Sequence, residues 1–417
     1  MENNFNSEIS KMKISLLCFF LLCSLTIYSQ VNNTTKYTRS QSEAKVLVQK
    51  VLKASPVIDG HNDLLRYFYE CKKCPRDLDG YPLDTITVGN TDIVRWKKGG
   101  VGAQLLNVFG NEYTARNLLD AYDLVYRMIK KYSKDLVFAP SSAEIKAAIK
   151  NNKIAIIPAM EFSIRLENSP AMVRIFHKLG LRAVTLAYQT NDIADGSDDT
   201  AKHNGLSVLG KEMVKEMNRT GVMVDISHVS EKTMMDVLNV SSAPVIFSHS
   251  NAKAICNVNR NVSDNVLKRL KQNNGIIMLT FVPYFTTKAF ADWYKSGDDA
   301  WYKLKEKYKD SLPLALKDFE RWEKGNPPPK VTVGDMAVHF DYVKKLIGVD
   351  HIGIGSDFDG LDYFITGLED VSKYPALLIE LARRGWTEAE LKKITAENFL
   401  RVFEQVEKIA AMKVHSE

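Results

Sequence analysis

Between residues 57 and 357, short runs of Val, Ile, Leu, Met and Ala alternate with longer stretches whose apolar residues fall at helical spacing. Eight runs have strand length: 57–63, 102–109, 154–161, 182–188, 222–228, 245–249, 276–281 and 352–357. Most are continuously apolar rather than alternating, as strands are when a parallel sheet is covered on both faces. The intervening stretches 113–132, 142–150, 172–178, 207–219, 230–238, 263–272 and 339–347 read as amphipathic helices. Regular alternation of strand and helix, eight times over, predicts an α/β fold of the (β/α)8 TIM-barrel type. A doubly wound open sheet is the other arrangement, but no glycine-rich phosphate loop follows the first run. Helical spacing at 42–54 leads into the first strand, and 64–90 reads as loop-rich, with Pro75 and Pro82. Two helices, 373–384 and 387–408, close the chain, with Gly385 between them where a helix C-terminus commonly places Gly.

One insertion, 286–338, breaks the rhythm. It is rich in Trp, Tyr and Lys, includes Trp293, Trp301, Tyr302 and Trp322, and ends in Asn326 and three prolines. It follows strand seven, on the face where such barrels carry their chemistry. We expect two helices that form a lid or a subunit contact; an insert that merely packs its own aromatics is the plainer alternative.

The 417 residues are 45% hydrophobic and 25% charged, as in ordinary globular proteins. The net charge of +6 comes without a Lys/Arg run, so no nucleic-acid footprint is present. Lys11 and Lys13 precede an apolar stretch at 14–27, and Ser29 follows. That order reads as a secretory signal peptide over 1–29, leaving a single domain at 30–417 that is secreted or periplasmic. Cys23 would mark a lipoprotein, but Leu22 precedes it where a small residue is expected. The C-terminus carries no apolar tail, so no stable membrane anchor is expected. Of five cysteines, Cys18 and Cys23 would leave with the signal, and Cys256 stands apart. Cys71 and Cys74 are expected to form a local disulfide or a surface pair, since a four-cysteine zinc knot lacks ligands.

Catalytic residues of such a barrel stand at the C-terminal ends of its strands. Here the first run ends in His61 and Asp63, which share a face if the strand continues that far. The third ends in Glu161, the fourth in Tyr188, the fifth in His228, the sixth in His249 and the eighth in Asp357. Any one of these is ordinarily a hydrogen-bonded structural group or a cap. Six agreeing ends, using three of only eight histidines, are hard to explain that way. The ligand count fits two metal ions: His61 and Asp63 on one, His228 and His249 on the other, and Glu161 bridging. Nitrogen and oxygen donors in this mix suit Zn2+ best.

Several segments then resemble the membrane (renal) dipeptidase family. They are the Asp59-to-Asp63 motif, Glu161, the segments ending in His228 and Ser250, Arg260-Asn-Val, and Gly355-Ser-Asp-Phe-Asp-Gly360. Residues 368–375 and 398–403 add to the likeness, which spans about Val57 to Phe403. The resemblance implies a binuclear zinc barrel that hydrolyses dipeptides. By it, His61, Asp63, Glu161, His228 and His249 are metal ligands, Arg260 binds the substrate carboxylate, and Asp357 binds the amino group and handles protons. A forked guanidinium suits a carboxylate, and an ionised Asp beside two cations can accept a proton. Where the family often carries a His that hydrogen-bonds the substrate carbonyl, this chain has Tyr188, whose phenol can also donate one bond.

The leading expectation is therefore a zinc metallodipeptidase acting on small dipeptides, with a homodimer left open. The alternative is a related metal-dependent amidohydrolase acting on a cyclic amide, lactam or N-acyl amino acid. Many of those begin with His-x-His and use a lysine-derived bridge, unlike His61, Asp63 and Glu161. A catalytically silent binding barrel is a third reading, with Tyr188 as its only foothold.

Overall fold

The computed structural model describes residues 37–71, 76–309 and 311–414; the expected signal segment and Cys74 lie outside them. Among the described residues there are nine strands: β1 Val57–Asp59, β2 Val101–Asn107, β3 Leu136–Phe138, β4 Ile154–Met160, β5 Ala183–Thr185, β6 Met223–Asp225, β7 Ile246–Phe247, β8 Ile276–Leu279 and β9 Ile352–Ile354. All pair in parallel. β2 pairs with both β1 and β4, which closes β1, β2 and β4 to β9 into an eight-stranded barrel. The eight expected strands are these eight.

β3 was not expected. It pairs with the first half of β4, Leu136 opposite Ile154, while β5 takes the second half at Ala159 and Met160. The three residues Leu136–Phe138 are too few to show a period. The strands are also shorter than their apolar runs. β1 stops at Asp59, with one further bridge between Asn62 and Phe358. Three residues beyond the ends of β6 and β9, at His228 and Asp357, the backbone turns left-handed, at φ 66° and 68°. Each such residue costs on the order of 1–3 kcal/mol and is found where surrounding contacts enforce it.

The expected helices are present with adjusted ends. Ser207 and Ser230 cap the helices Val208–Thr220 and Glu231–Val240 through their hydroxyls. The helix expected at 339–347 starts earlier, as Val333–Ile347, because Thr332 and Asp335 form a capping box. The expected insertion boundary at 338 therefore falls inside a helix. Two short helices, Leu65–Glu70 and Ile93–Gly99, occupy ground without a clear helical pattern. The expected helix 387–408 is instead Glu388–Lys392 and Asn398–Val414, joined by a π-helical turn at Lys393–Glu397. At that junction the Asn398 amide donates to the carbonyls of Val349 and Ile352, tying it to β9.

Ile58, Ala103, Leu105, Ile157, Met223 and Met278 belong to one buried cluster that also takes in Phe399, Val402 and Phe403 of the last helix. Removing a ring such as Phe403 from this cluster would cost roughly 3–5 kcal/mol. Two glycines answer a local need. A Cβ on Gly60 or Gly355 would lie 2.4 or 1.9 Å from the Ser248 carbonyl oxygen. Ser248 can thus approach both β1 and β9, immediately before His249.

The insertion forms the two expected helices, Lys288–Lys307 and Leu312–Gly325, preceded by the turn Pro283–Thr286. They pack through Trp293 on Trp322 (ring centroids 5.9 Å apart) and Trp301 on Phe319 (5.5 Å). Cys71 is disulfide-bonded and Cys256 is a buried free thiol. Among the described residues no helix is long and apolar enough to cross a membrane.

Candidate metal centre

The residues just past β1, β4, β6 and β7 converge on one point. Glu161 Oε1 lies 3.0 Å from His228 Nε2, 3.4 Å from His249 Nε2 and 3.8 Å from His61 Nε2. His61 Nε2 is also 3.5 Å from Asp63 Oδ2 and 3.9 Å from Asp357 Oδ1. The His228 and His249 Nε2 atoms are 2.7 Å apart, and the His61 and His249 rings stack at 3.9 Å. Three overlapping groups of donors could each hold an ion: His61, Asp63 and Glu161; Glu161, His228 and His249; and His61, His249 and Asp357. The donor types and their burial fit a divalent metal. So does the buried His61 Nε2, which has no hydrogen-bond partner.

The electrostatics point the same way. Burial opposes charge on His61, but Asp63, Glu161 and Asp357 outweigh it and raise its pKa to about 10. Burial and the neighbouring Arg260 push His228 down to about 4, and burial and His61 push His249 well below its ordinary value. Burial opposes ionisation of Glu161, yet the surrounding imidazoles hold it well below the usual carboxylate range. His228 and His249 are thus held neutral and Glu161 ionised, the protonation states that metal ligation requires, while His61 carries a proton that a bound cation would displace. Burial raises Asp357 to about 8, with Asp63 and Glu161 adding to the effect. A bound divalent cation would reverse that logic.

Asn107, at the end of β2, was missed from sequence. Its amide nitrogen donates to Asp63 Oδ1 (2.8 Å) and Glu161 Oε2 (3.1 Å), and its oxygen accepts from the Glu161 backbone N–H (3.1 Å). One side chain orients two candidate ligands. The signal was available, because the strand-end rule that selected Glu161 applies equally to β2.

A cavity of about 800 Å³ opens over the cluster, lined by Asp63, Asn107, Glu161, Tyr188, His228, Arg260 and Asp357 among others. Tyr294 and Lys295 of the insertion also line it. Arg260 is buried; its Nη1 donates to Ser250 Oγ and its Nη2 to the His249 carbonyl, each at 2.5 Å. Its Nε is buried without a partner. Tyr188 is partly exposed and packs between Phe162 and His228, with ring centroids 4.7 and 4.5 Å away. Burial, with Glu161 and Asp357 nearby, raises its hydroxyl to about 12, so the phenol stays a donor. Every candidate site residue named from sequence therefore sits in or beside one cavity.

The sequence matches the family model of membrane dipeptidase, peptidase family M19, over residues 46–417. The chain belongs to this family. It is 36% identical over 371 residues to dipeptidase tcpJ of Claviceps purpurea (strain 20.1), covering 85% of this chain and 77% of that protein. Its fold is similar to that of the probable dipeptidase PvdM from Pseudomonas aeruginosa, at TM-score 0.76 and 23% identity, over 88% of this chain and 100% of that one. It is also similar to a metallopeptidase from Rhodobacter sphaeroides bound to a phosphinate mimic of L-Ala-D-Ala, at TM-score 0.67 and 23% identity, over 84% and 99%. The family makes the chain a metal-dependent hydrolase, a metallopeptidase on a TIM-type barrel.

Proposed function

We propose that this metallopeptidase is a binuclear zinc dipeptidase. The observation that carries the reading is Glu161 Oε1, within 3.8 Å of three imidazole nitrogens that belong to overlapping ligand groups. His61 and Asp63 would hold one ion and His228 and His249 the other, with Glu161 within reach of both sets. Two zinc ions so held would lower the pKa of a shared water toward neutrality and polarise the scissile carbonyl.

The chain's own residues do the rest. Arg260, which lines the cavity, offers its guanidinium to the substrate carboxylate, while its Nη groups anchor it to Ser250 and His249. Asp357 accepts the substrate ammonium and then the proton released on attack. An ammonium beside it, or the metal charge, favours its ionised form. Tyr188 donates its hydroxyl to the carbonyl oxygen as negative charge develops there. Asn107 fixes Asp63 and Glu161 so that neither carboxylate must reorganise during the reaction.

The mature chain acts outside the cytosol. Lys11, Lys13 and the apolar stretch at 14–27 support export, and the bonded state of Cys71 suits an oxidising compartment. A mature N-terminus found by mass spectrometry near residue 30 is expected; an uncleaved exported chain counts against the signal reading.

The deciding experiment combines elemental analysis with assays of L,L and L,D dipeptides before and after chelation. About two zinc ions per chain with chelator-sensitive cleavage is the expected result. Two metals without cleavage of any dipeptide would shift the reading to a cyclic amide or N-acyl substrate.

A further inference from the structure

Beneath the candidate metal centre lies a buried carboxylate that no ligand role explains. Asp225, the last residue of β6, is 2% exposed and has four donors on its two oxygens. Oδ1 accepts from the backbone N–H groups of Ser227 (3.0 Å) and Ser248 (2.9 Å). Oδ2 accepts from the hydroxyls of Thr185 (2.5 Å) and Ser248 (2.6 Å). Ser248 Oγ is in turn 2.7 Å from His249 Nδ1.

Counting protons fixes the direction of this chain. A hydroxyl has one proton to give. Ser248 spends it on Asp225, because two oxygens 2.6 Å apart in a buried site need a proton between them. Ser248 Oγ can then only accept from His249, so Nδ1 carries a proton and Nε2 carries the lone pair. That lone pair faces Glu161 Oε1 and His228 Nε2. The main chain of His249 is held as well: its N–H donates to Ser227 Oγ (3.2 Å) and its carbonyl accepts from Arg260. Among the described residues, neither His61 nor His228 has a hydrogen bond on Nδ1 of this kind.

We infer that Asp225, acting through Ser248, is a positioning residue that locks His249 into the Nδ1–H tautomer and so presets Nε2 as a metal donor. The metal half of this inference rests on the reading of the site as a metal centre; the tautomer half does not. The arrangement resembles the general pattern in which a ligating imidazole gives its other N–H to an oxygen that orients it. Here the oxygen is a serine hydroxyl whose own proton is claimed by a carboxylate.

The test uses the full chain with selectively ¹⁵N-labelled histidine, first stripped of metal and then titrated with zinc against a chromophoric chelator. In the stripped wild type, the His249 signal should report Nδ1–H, assigned by comparison with His249→Gln. In Ser248→Ala the tautomers should mix, and zinc affinity should fall on the order of 10–100-fold. Asp225→Asn should go further, because an amide N–H facing Ser248 turns the hydroxyl proton onto Nδ1 and moves the imidazole proton to Nε2. Ser248→Ala keeps the backbone bond to Asp225, so it serves if Asp225→Asn fails to fold. Nε2–H in the wild type, or an unchanged tautomer in Ser248→Ala, overturns the inference. Absence of zinc binding by a wild type that still shows Nδ1–H would overturn the metal-centre reading instead.

Discussion

The Nε2 atoms of His228 and His249 face each other at 2.7 Å, with Glu161 Oε1 3.0 and 3.4 Å away. Two imidazole nitrogens and a carboxylate oxygen at such range form a site that a cation completes. Zinc added to stripped protein should therefore raise the melting temperature. Stabilisation should approach about 2.7 kcal/mol at a hundredfold excess over Kd. His249→Ala should lower the zinc bound per chain and abolish dipeptide cleavage. Differential scanning calorimetry with elemental analysis checks both; a zinc response unchanged by His249→Ala would refute the assignment.

Asn107 holds Asp63 and Glu161 with a single amide. Asn107→Ala leaves both carboxylates without that donor and the Glu161 N–H without its acceptor. Metal affinity should fall on the order of 10–100-fold, with a stability loss of roughly 1–3 kcal/mol. Competition with a chelator, alongside urea unfolding of the stripped protein, separates the two effects.

Tyr188 lines the cavity and its ring packs 4.5 Å from that of His228. If its hydroxyl stabilises the developing oxyanion, Tyr188→Phe should lower kcat by roughly 10²–10³-fold while KM changes little. Tyr188→His should retain most of the activity, because imidazole can donate the same bond. Steady-state kinetics on one good dipeptide decides it, and full activity in Tyr188→Phe would remove the phenol from the reaction.

His339 ties the start of the insertion to the barrel. Its Nδ1 accepts from the Ala252 N–H (3.2 Å) and its Nε2 donates to the Thr286 carbonyl (2.9 Å), a pattern that requires a neutral ring. Burial lowers its pKa from 6.5 to about 4. In that interval the unfolded state binds the extra proton and the folded state does not. The stability linked to this group is complete above pH 6.5 and is lost as pH falls toward 4, on the order of 3 kcal/mol in all. His339→Gln, which can accept and donate at similar places, should flatten the pH dependence of stability across that interval relative to wild type. Parallel slopes for the two proteins would show that His339 does not contribute.

The barrel was legible because burial on both sheet faces writes itself as continuous apolar runs. The candidate ligands were legible because His61, Glu161, His228 and His249 directly follow such runs. β3 and the helices Leu65–Glu70 and Ile93–Gly99 were not, since three to seven residues hold too little of any period. The start of helix Val333–Ile347 was hidden differently: its capping box was in the sequence, but the aromatic insertion before it drew the boundary too late.

Local sequence thus determined which residues are candidates for the chemistry, because side-chain type and strand-end position are properties of single segments. Tertiary structure decided how they meet. Asn107 reaches Glu161 only because β2 closes the ring beside β4. Asp225 acquires its four donors only where β5, β6 and the segment after β7 come together. Gly60 and Gly355 matter only because the Ser248 carbonyl lies between them. Hydrogen bonds and close approaches between distant segments depend on the relative placement of strands, and no run of neighbouring residues encodes that placement by itself.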